Sequence, residues 1–141
     1  MNMTQASEPV DDLFLTALGI KPLAEPDGDI LGYLDPTAVA AQGSDEHRFV
    51  QGGALGTCVE IFGYRAVEIE AQRKGFRGAE WWPVSFQVEL LRVAPAKRYA
   101  IRGRAERIGK RHAFARVEIA PAEGGPAVTT GTVMLINAAD S

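Results

Sequence analysis

The amino-acid sequence predicts an α+β domain in which an antiparallel sheet packs against one long helix. Three observations point there. From Gly53 to about Lys74 the apolar residues Leu55, Val59, Phe62, Ala66 and Ile69 recur at spacings of four, three, four and three, and Gly75 and Gly78 then break the pattern. That spacing draws one apolar stripe down a helix. Beyond Trp82 the period becomes two, with Val84, Phe86, Val88 and Leu90 alternating with Ser85, Gln87 and Glu89. Three further strand-like runs follow, Tyr99 to Ile108, His112 to Ala120 and Ala127 to Asn137. The connections Pro95-Ala96, Gly109-Lys110 and Glu123-Gly124-Gly125-Pro126 are short and turn-like, so the four runs are expected to be consecutive antiparallel neighbours.

The elements ahead of the long helix are simpler. Pro9 to Ile20 reads as a short helix, with Asp11 and Asp12 suited to its first turn, Leu13, Leu15, Leu18 and Ile20 as apolar surface, and Gly19 near its end. Lys21 to Asp35 reads as a hairpin around Pro26-Asp27-Gly28-Asp29. Pro36 to Arg48 is irregular and polar and ends in Ser44-Asp45-Glu46-His47-Arg48. The order is helix, hairpin, long helix, then four strands, and the long helix most simply crosses the concave face of the sheet.

A chain of 141 residues, 46% of them hydrophobic, is enough for one domain spanning 1–141 with a core of its own, and the polar residues 1–8 read as a flexible N-terminus. A net charge of −3 offers no footprint for nucleic acid and no polybasic arm for anionic lipid. Cys58 is the only cysteine, which excludes an internal disulfide framework and fits a reducing compartment. No apolar leader opens the chain and no stretch approaches the roughly 20 apolar residues of a membrane helix, so the expected location is cytoplasmic.

Val50 to Glu60 carries the most chemical information. Paired glycines that open a helix leave its first N–H groups uncovered, and those donors, with the helix dipole behind them, can hold an oxyanion or a polarised carbonyl. At about 100° per residue, Gly53, Gly56, Glu60 and Tyr64 share one sector away from the apolar stripe, which would set a carboxylate and an oxyanion hole on one face. The plain alternative is a glycine turn before a helix whose acidic residue is merely solvated. His47 and His112 are far apart in sequence and show no ligand spacing, so no metal site is expected. Cys58 lies at the stripe's edge as a small core residue. Trp81 and Trp82 are core or pocket wall, and Arg102 and Arg104 alternate on an exposed strand face.

Gln51-Gly52-Gly53, six residues and then Glu60 resemble the His-Gly-Gly-and-acid motif of the hotdog-fold acyl-CoA thioesterase superfamily. Pro83 to Lys97, with Ser85 near its start and Pro95-Ala96 at its end, is similar to the family's next strand; Gly109 to Ala115 and Gly131-Thr132 match two later segments. The similarity covers roughly residues 12 to 137 and is closest to the phenylacetate-degradation type. It implies a hotdog fold, a sheet wrapped around one central helix, and a homodimer or dimer of dimers whose active site straddles the subunit interface. It further implies an acyl-CoA substrate and no cofactor. Glu60 would attack the thioester or activate water, the Gly53 N–H would polarise the carbonyl, and Ser85 would help place water or substrate. Gln51 stands where the family has histidine; it can donate a hydrogen bond but cannot shuttle protons near neutral pH. Gly52, Phe62, Tyr64 and Trp82 would line the substrate site, and Arg107, Lys110 and Arg111 would meet the phosphates of coenzyme A, unless they form a solvated hairpin tip. Two alternatives remain open: a hydroxyacyl dehydratase, which needs an upstream histidine in a motif absent around His47, and a non-catalytic acyl-CoA binder.

Overall fold

The computed structural model describes residues 13–140. Its elements run α1 (Leu13–Leu18), β1 (Ile20–Asp27), β2 (Ile30–Leu34), β3 (Ala41–Gln42), β4 (Phe49–Val50), α2 (Gly52–Arg73), β5 (Trp81–Leu90), β6 (Tyr99–Ile108), β7 (His112–Pro121) and β8 (Thr129–Asn137), closing with a 3₁₀ turn at Ala138–Asp140. Six strands form one antiparallel sheet in the order β1-β2-β6-β7-β8-β5, which wraps α2; β3 and β4 pair separately. This is the hotdog architecture that the resemblance implies.

The helix α2 is buried far more completely than one stripe allows. Besides Leu55, Val59, Phe62 and Ala66, the residues Ala54, Cys58, Ile61, Gly63, Tyr64, Arg65, Val67 and Ala71 are buried, because strands β2, β5, β6, β7 and β8 all touch it. Tyr64, in the sector away from the apolar stripe, is buried as well, at 7% exposed. Phe62, expected at the substrate site, is fully buried, and its ring lies 2.5 Å from where a Cβ on Gly32 of β2 would sit. Each such large apolar side chain contributes about 2 kcal/mol by leaving water. At its end, Gly75 takes φ +75°, and its N–H meets the Gln72 carbonyl at 3.2 Å while that of Phe76 meets Ala71 at 2.9 Å. That is a Schellman ending, which needs the left-handed conformation glycine adopts freely.

Several boundaries differ from the sequence reading. The first helix is six residues long, Ile20 opens β1 instead of closing α1, and Pro9, Asp11 and Asp12, like residues 1–8, lie outside the described residues. The polar segment before α2 is not wholly irregular, since Ala41 pairs with Val50 and Gln42 with Phe49. The four late strands are not all sequential neighbours. Only β6, β7 and β8 form the meander; β5 pairs with β8 along Trp81–Leu90, and the other side of β6 is taken by β2. A two-residue turn at Pro95-Ala96 cannot exist, because the connection runs from Leu91 to Arg98 across the end of the sheet.

The two edges of the sheet are unlike. Strand β1 carries Pro22 and Pro26, which have no N–H to offer, and its register against β2 is interrupted between Pro22 and Asp27. Strand β5 has ten residues, one proline, and half-exposed Phe86 and Leu90. A bulge at Val84 divides it, so Trp81 and then Phe86, Val88 and Leu90 face α2, while Trp82, Ser85, Gln87 and Glu89 face away.

Candidate functional site

The start of α2 is held by backbone bonds from two neighbouring segments. The Val50 N–H donates to the Ala94 carbonyl at 2.7 Å, the Gln51 N–H to Ala40 at 2.8 Å, and the Ala96 N–H to Arg48 at 3.0 Å. Gln51 is extended, with φ −67° and ψ 140°, and its carbonyl receives the N–H groups of Ala54 and Leu55. Its side chain makes no capping bond. The N–H groups of Gly52 and Gly53 thus find no acceptor among the described residues. Leu90 closes on Gly52 from β5, its Cδ1 3.0 Å from where a Cβ would be, so this position accepts only glycine without adjustment. The result is a fixed, half-open donor pair at the positive end of a 22-residue helix.

Glu60 lies two turns further on, partly exposed, with no hydrogen bond or ion pair to any described residue. Seven residues at 1.5 Å each put it about 10 Å along the axis from Gly53, too far for one thioester carbonyl to meet both within a single chain. Ser85 sits opposite Met134 on the face of the sheet away from α2, so one chain does not bring it to Glu60 either. Strand β5 runs antiparallel to α2: Leu90 meets Gly52, and Val88 and Phe86 approach Gly56 at 3.8 and 3.9 Å from the Cβ position.

Further down the same groove is a cavity of about 660 Å³, lined among others by Tyr64, Glu68, Phe76, Glu80, Trp81 and Trp82. Tyr64 and Trp82, which the resemblance assigns to a substrate site, both border this cavity, Trp82 half-exposed; Trp81 is buried. Glu68 was not anticipated. Its Oε2 accepts from the Tyr64 hydroxyl at 3.2 Å, and Oε1 lies 3.8 Å from the guanidinium of Arg65, a buried side chain whose other nitrogen donates to the Ala24 carbonyl of β1. Burial pushes the Glu68 carboxyl above the usual carboxylate range, against the opposing pull of the Tyr64 hydroxyl and the Arg65 charge. Burial, then the negative charge of Glu68, pushes the Tyr64 phenol up. The signal available in the sequence was the four-residue step from Glu60 to Tyr64 to Glu68, one ridge of the helix.

A second cavity, about 580 Å³, gathers Arg107, Lys110 and Arg111 with Gly109, His112, Phe114 and Met134 on the outer face of the sheet. Arg102 and Arg104 lie beside Arg116 and Glu118 on that face, where Arg102 pairs with Asp29 at 3.2 Å. His47 is exposed, and no cluster of metal-ligating side chains occurs among the described residues. Cys58 is fully buried and burial raises its thiol to about 12, so it stays protonated and unreactive. No described helix is long and apolar enough to cross a membrane.

No protein-family model and no curated protein sequence matches the chain. Solved structures do match it along nearly its whole length. A candidate thioesterase related to phenylacetic acid degradation from Ralstonia eutropha is 23% identical, with 95% of this chain and 96% of that one covered at a TM-score of 0.63. A protein from Shewanella oneidensis related to the thioesterase superfamily is 18% identical over 89% of this chain and 86% of its own, with a TM-score of 0.68. Zebrafish thioesterase superfamily member 2 is 17% identical, covers 94% and 89%, and scores 0.68. These likenesses establish the hotdog fold.

Proposed function

We propose that the protein is a thioesterase that hydrolyses an acyl-CoA to the free acid and coenzyme A, with an active site completed by two copies of the chain. The observation that carries this reading is the open N–H pair of Gly52 and Gly53 and the unpaired Glu60 carboxylate on one helix, in a fold shared with thioesterase-superfamily structures. Their separation argues for the second copy. The midpoint between Gly53 and Glu60 falls beside Gly56, where β5 crosses α2 at Phe86 and Val88. If two chains pair their open β5 edges about an axis at that crossing, the Gly53 of one subunit comes to the Glu60 of the other, twice by symmetry.

In that site the Gly53 N–H holds the thioester oxygen and Gln51 donates beside it. Glu60 takes a proton from water as the water oxygen adds to the carbonyl carbon, or adds directly to form an anhydride that water then cleaves. Collapse of the tetrahedral adduct breaks the C–S bond, and coenzyme A leaves as its thiolate, to be protonated by the acid form of Glu60 or by solvent. Ser85 lies on the outer face of β5, away from Glu60 in one chain and in the paired sheet alike, so a part in placing water or substrate is assigned to it by the resemblance alone. Arg107, Lys110 and Arg111 offer the phosphates of coenzyme A a basic rim.

Hydrolysis assayed over short-chain, aromatic and long-chain acyl-CoAs tests the proposal. Glu60→Gln is expected to lower kcat at least about 100-fold with the circular dichroism spectrum unchanged. Binding without turnover of any substrate overturns it in favour of the non-catalytic acyl-CoA binder, a reading that Gln51 in the histidine position favours. The dehydratase has less support, because His47 lines neither cavity.

A further inference from the structure

The outer face of the sheet, on the side away from α2, carries one row of side chains whose charges are uncompensated. Arg104 of β6 stands directly opposite Arg116 of β7, Arg116 opposite Thr132 of β8, and Thr132 opposite Gln87 of β5. All four are exposed, all can donate hydrogen bonds, and none is a carboxylate. The neighbouring row is balanced: Arg102 stands opposite Glu118 and is paired with Asp29 at 3.2 Å. Arg104 and Arg116, by contrast, make no hydrogen bond or ion pair to any described residue. Opposed side chains of an antiparallel pair start about 5 Å apart, a separation at which like charges destabilise the ladder. The chain as a whole has a net charge of −3, so a surplus of cations does not account for the juxtaposition.

A cavity of about 150 Å³ opens at this place, lined by Arg104 and Arg116 together with Arg102, Asp29 and Glu118. Its size, the bulk of about five water molecules, suits a single oxyanion and is too small for a nucleotide. Two guanidinium forks on adjacent strands can each take separate oxygens of one tetrahedral anion, whereas a planar carboxylate fills only one fork. Asp29 is engaged by Arg102, which leaves Glu118 as the free acceptor in the wall. A carboxylate there repels an anion that only accepts hydrogen bonds, such as sulfate, but receives the O–H of hydrogenphosphate. We propose that Arg104 and Arg116 form a binding site for inorganic phosphate on the outer face of the sheet, with Glu118 selecting the protonated oxyanion. This cavity is distinct from the one around Lys110 and Arg111, and the sheet separates it from Gly53 and Glu60 on α2. The assignment therefore stands or falls independently of thioester hydrolysis.

Calorimetric titration with inorganic phosphate, sulfate and methyl phosphate tests it, at constant ionic strength and about pH 8, where all three are dianions and only inorganic phosphate keeps an O–H. The wild type is expected to bind inorganic phosphate with a Kd of about 1 mM or lower, and the other two ions at least about fivefold more weakly. Arg104→Gln and Arg116→Gln should each weaken phosphate binding at least about tenfold. Glu118→Gln should bring the three affinities to within about twofold of one another. Melting curves separate a binding role from a structural one. Without phosphate, Arg104→Gln should melt no lower than the wild type, because it removes an opposed like charge. Phosphate at about ten times its Kd should raise the wild-type melting temperature by about 3 °C and leave that variant unmoved. Absence of saturable phosphate binding below about 20 mM, unchanged affinity in either arginine variant, or sulfate or methyl phosphate bound as tightly as inorganic phosphate overturns the proposal.

Discussion

Glu68 sits at a balance of opposing terms, and its titration exposes them. Burial raises its carboxyl in the folded chain, while Tyr64 and Arg65 pull it down. A carboxyl whose folded pKa lies above its unfolded value favours the native state most when protonated. Its contribution is fully present below the unfolded value of about 4.3 and is lost as pH rises through the folded one. Glu68→Gln imitates the protonated form, so the melting temperature of the wild type relative to this variant should fall as pH rises above about 4. A difference that stays constant over that range would show that burial does not control this group. Removing Arg65 instead would leave a buried carboxylate without its counter-charge, the costlier change. Gln51, Gly53 and Glu60 were readable as residues because their chemistry lies in one continuous segment. Glu68 was not, because its burial depends on the turn from Lys74 to Glu80 folding β5 back along the helix.

Among elements, the helix and sheet approach so closely that glycines set the spacing. A Cβ on Gly63 would overlap a methyl of Val133 and lie 2.8 Å from its Cβ, and one on Gly131 would lie 2.5 Å from a Val59 methyl. Alanine is the better helix former by about 1 kcal/mol, yet Gly63→Ala is expected to destabilise the fold by about 2 kcal/mol net, because overpacking outweighs propensity. Chemical denaturation measures this, and a gain in stability would mean that α2 can lift from β8 at no cost. The same closeness explains what the sequence pattern concealed. Period-three-and-four spacing located α2 to within a residue at each end, but could not show that five strands surround it. Strand β6 was legible to its boundaries, since Tyr99 to Ile108 lies between clear breaks. The partner of β5 was not, because Pro95-Ala96 resembles a turn while the backbone of Ala94 and Ala96 is engaged with Val50 and Arg48.

At the scale of the whole molecule, the exposed apolar side of β5 gives the proposed two-copy site a measurable consequence. Phe86 is 46% exposed, so Phe86→Glu should leave the monomer folded while placing two like charges at the crossing where both chains meet. Sedimentation velocity is expected to show a dimer for the wild type and a monomer for the variant, with hydrolysis lost in parallel. A wild type that is monomeric at micromolar concentration, yet active, would sink the shared site. The unlike edges of the sheet bear on how far such association can go. A strand joined to its own copy about a twofold consumes both open edges in one event, and the ends then presented to solvent are the proline-interrupted β1 strands. Growth by edge pairing is therefore self-terminating: the chain carries one initiating edge and one chain stop, which favours a finite particle over a fibre.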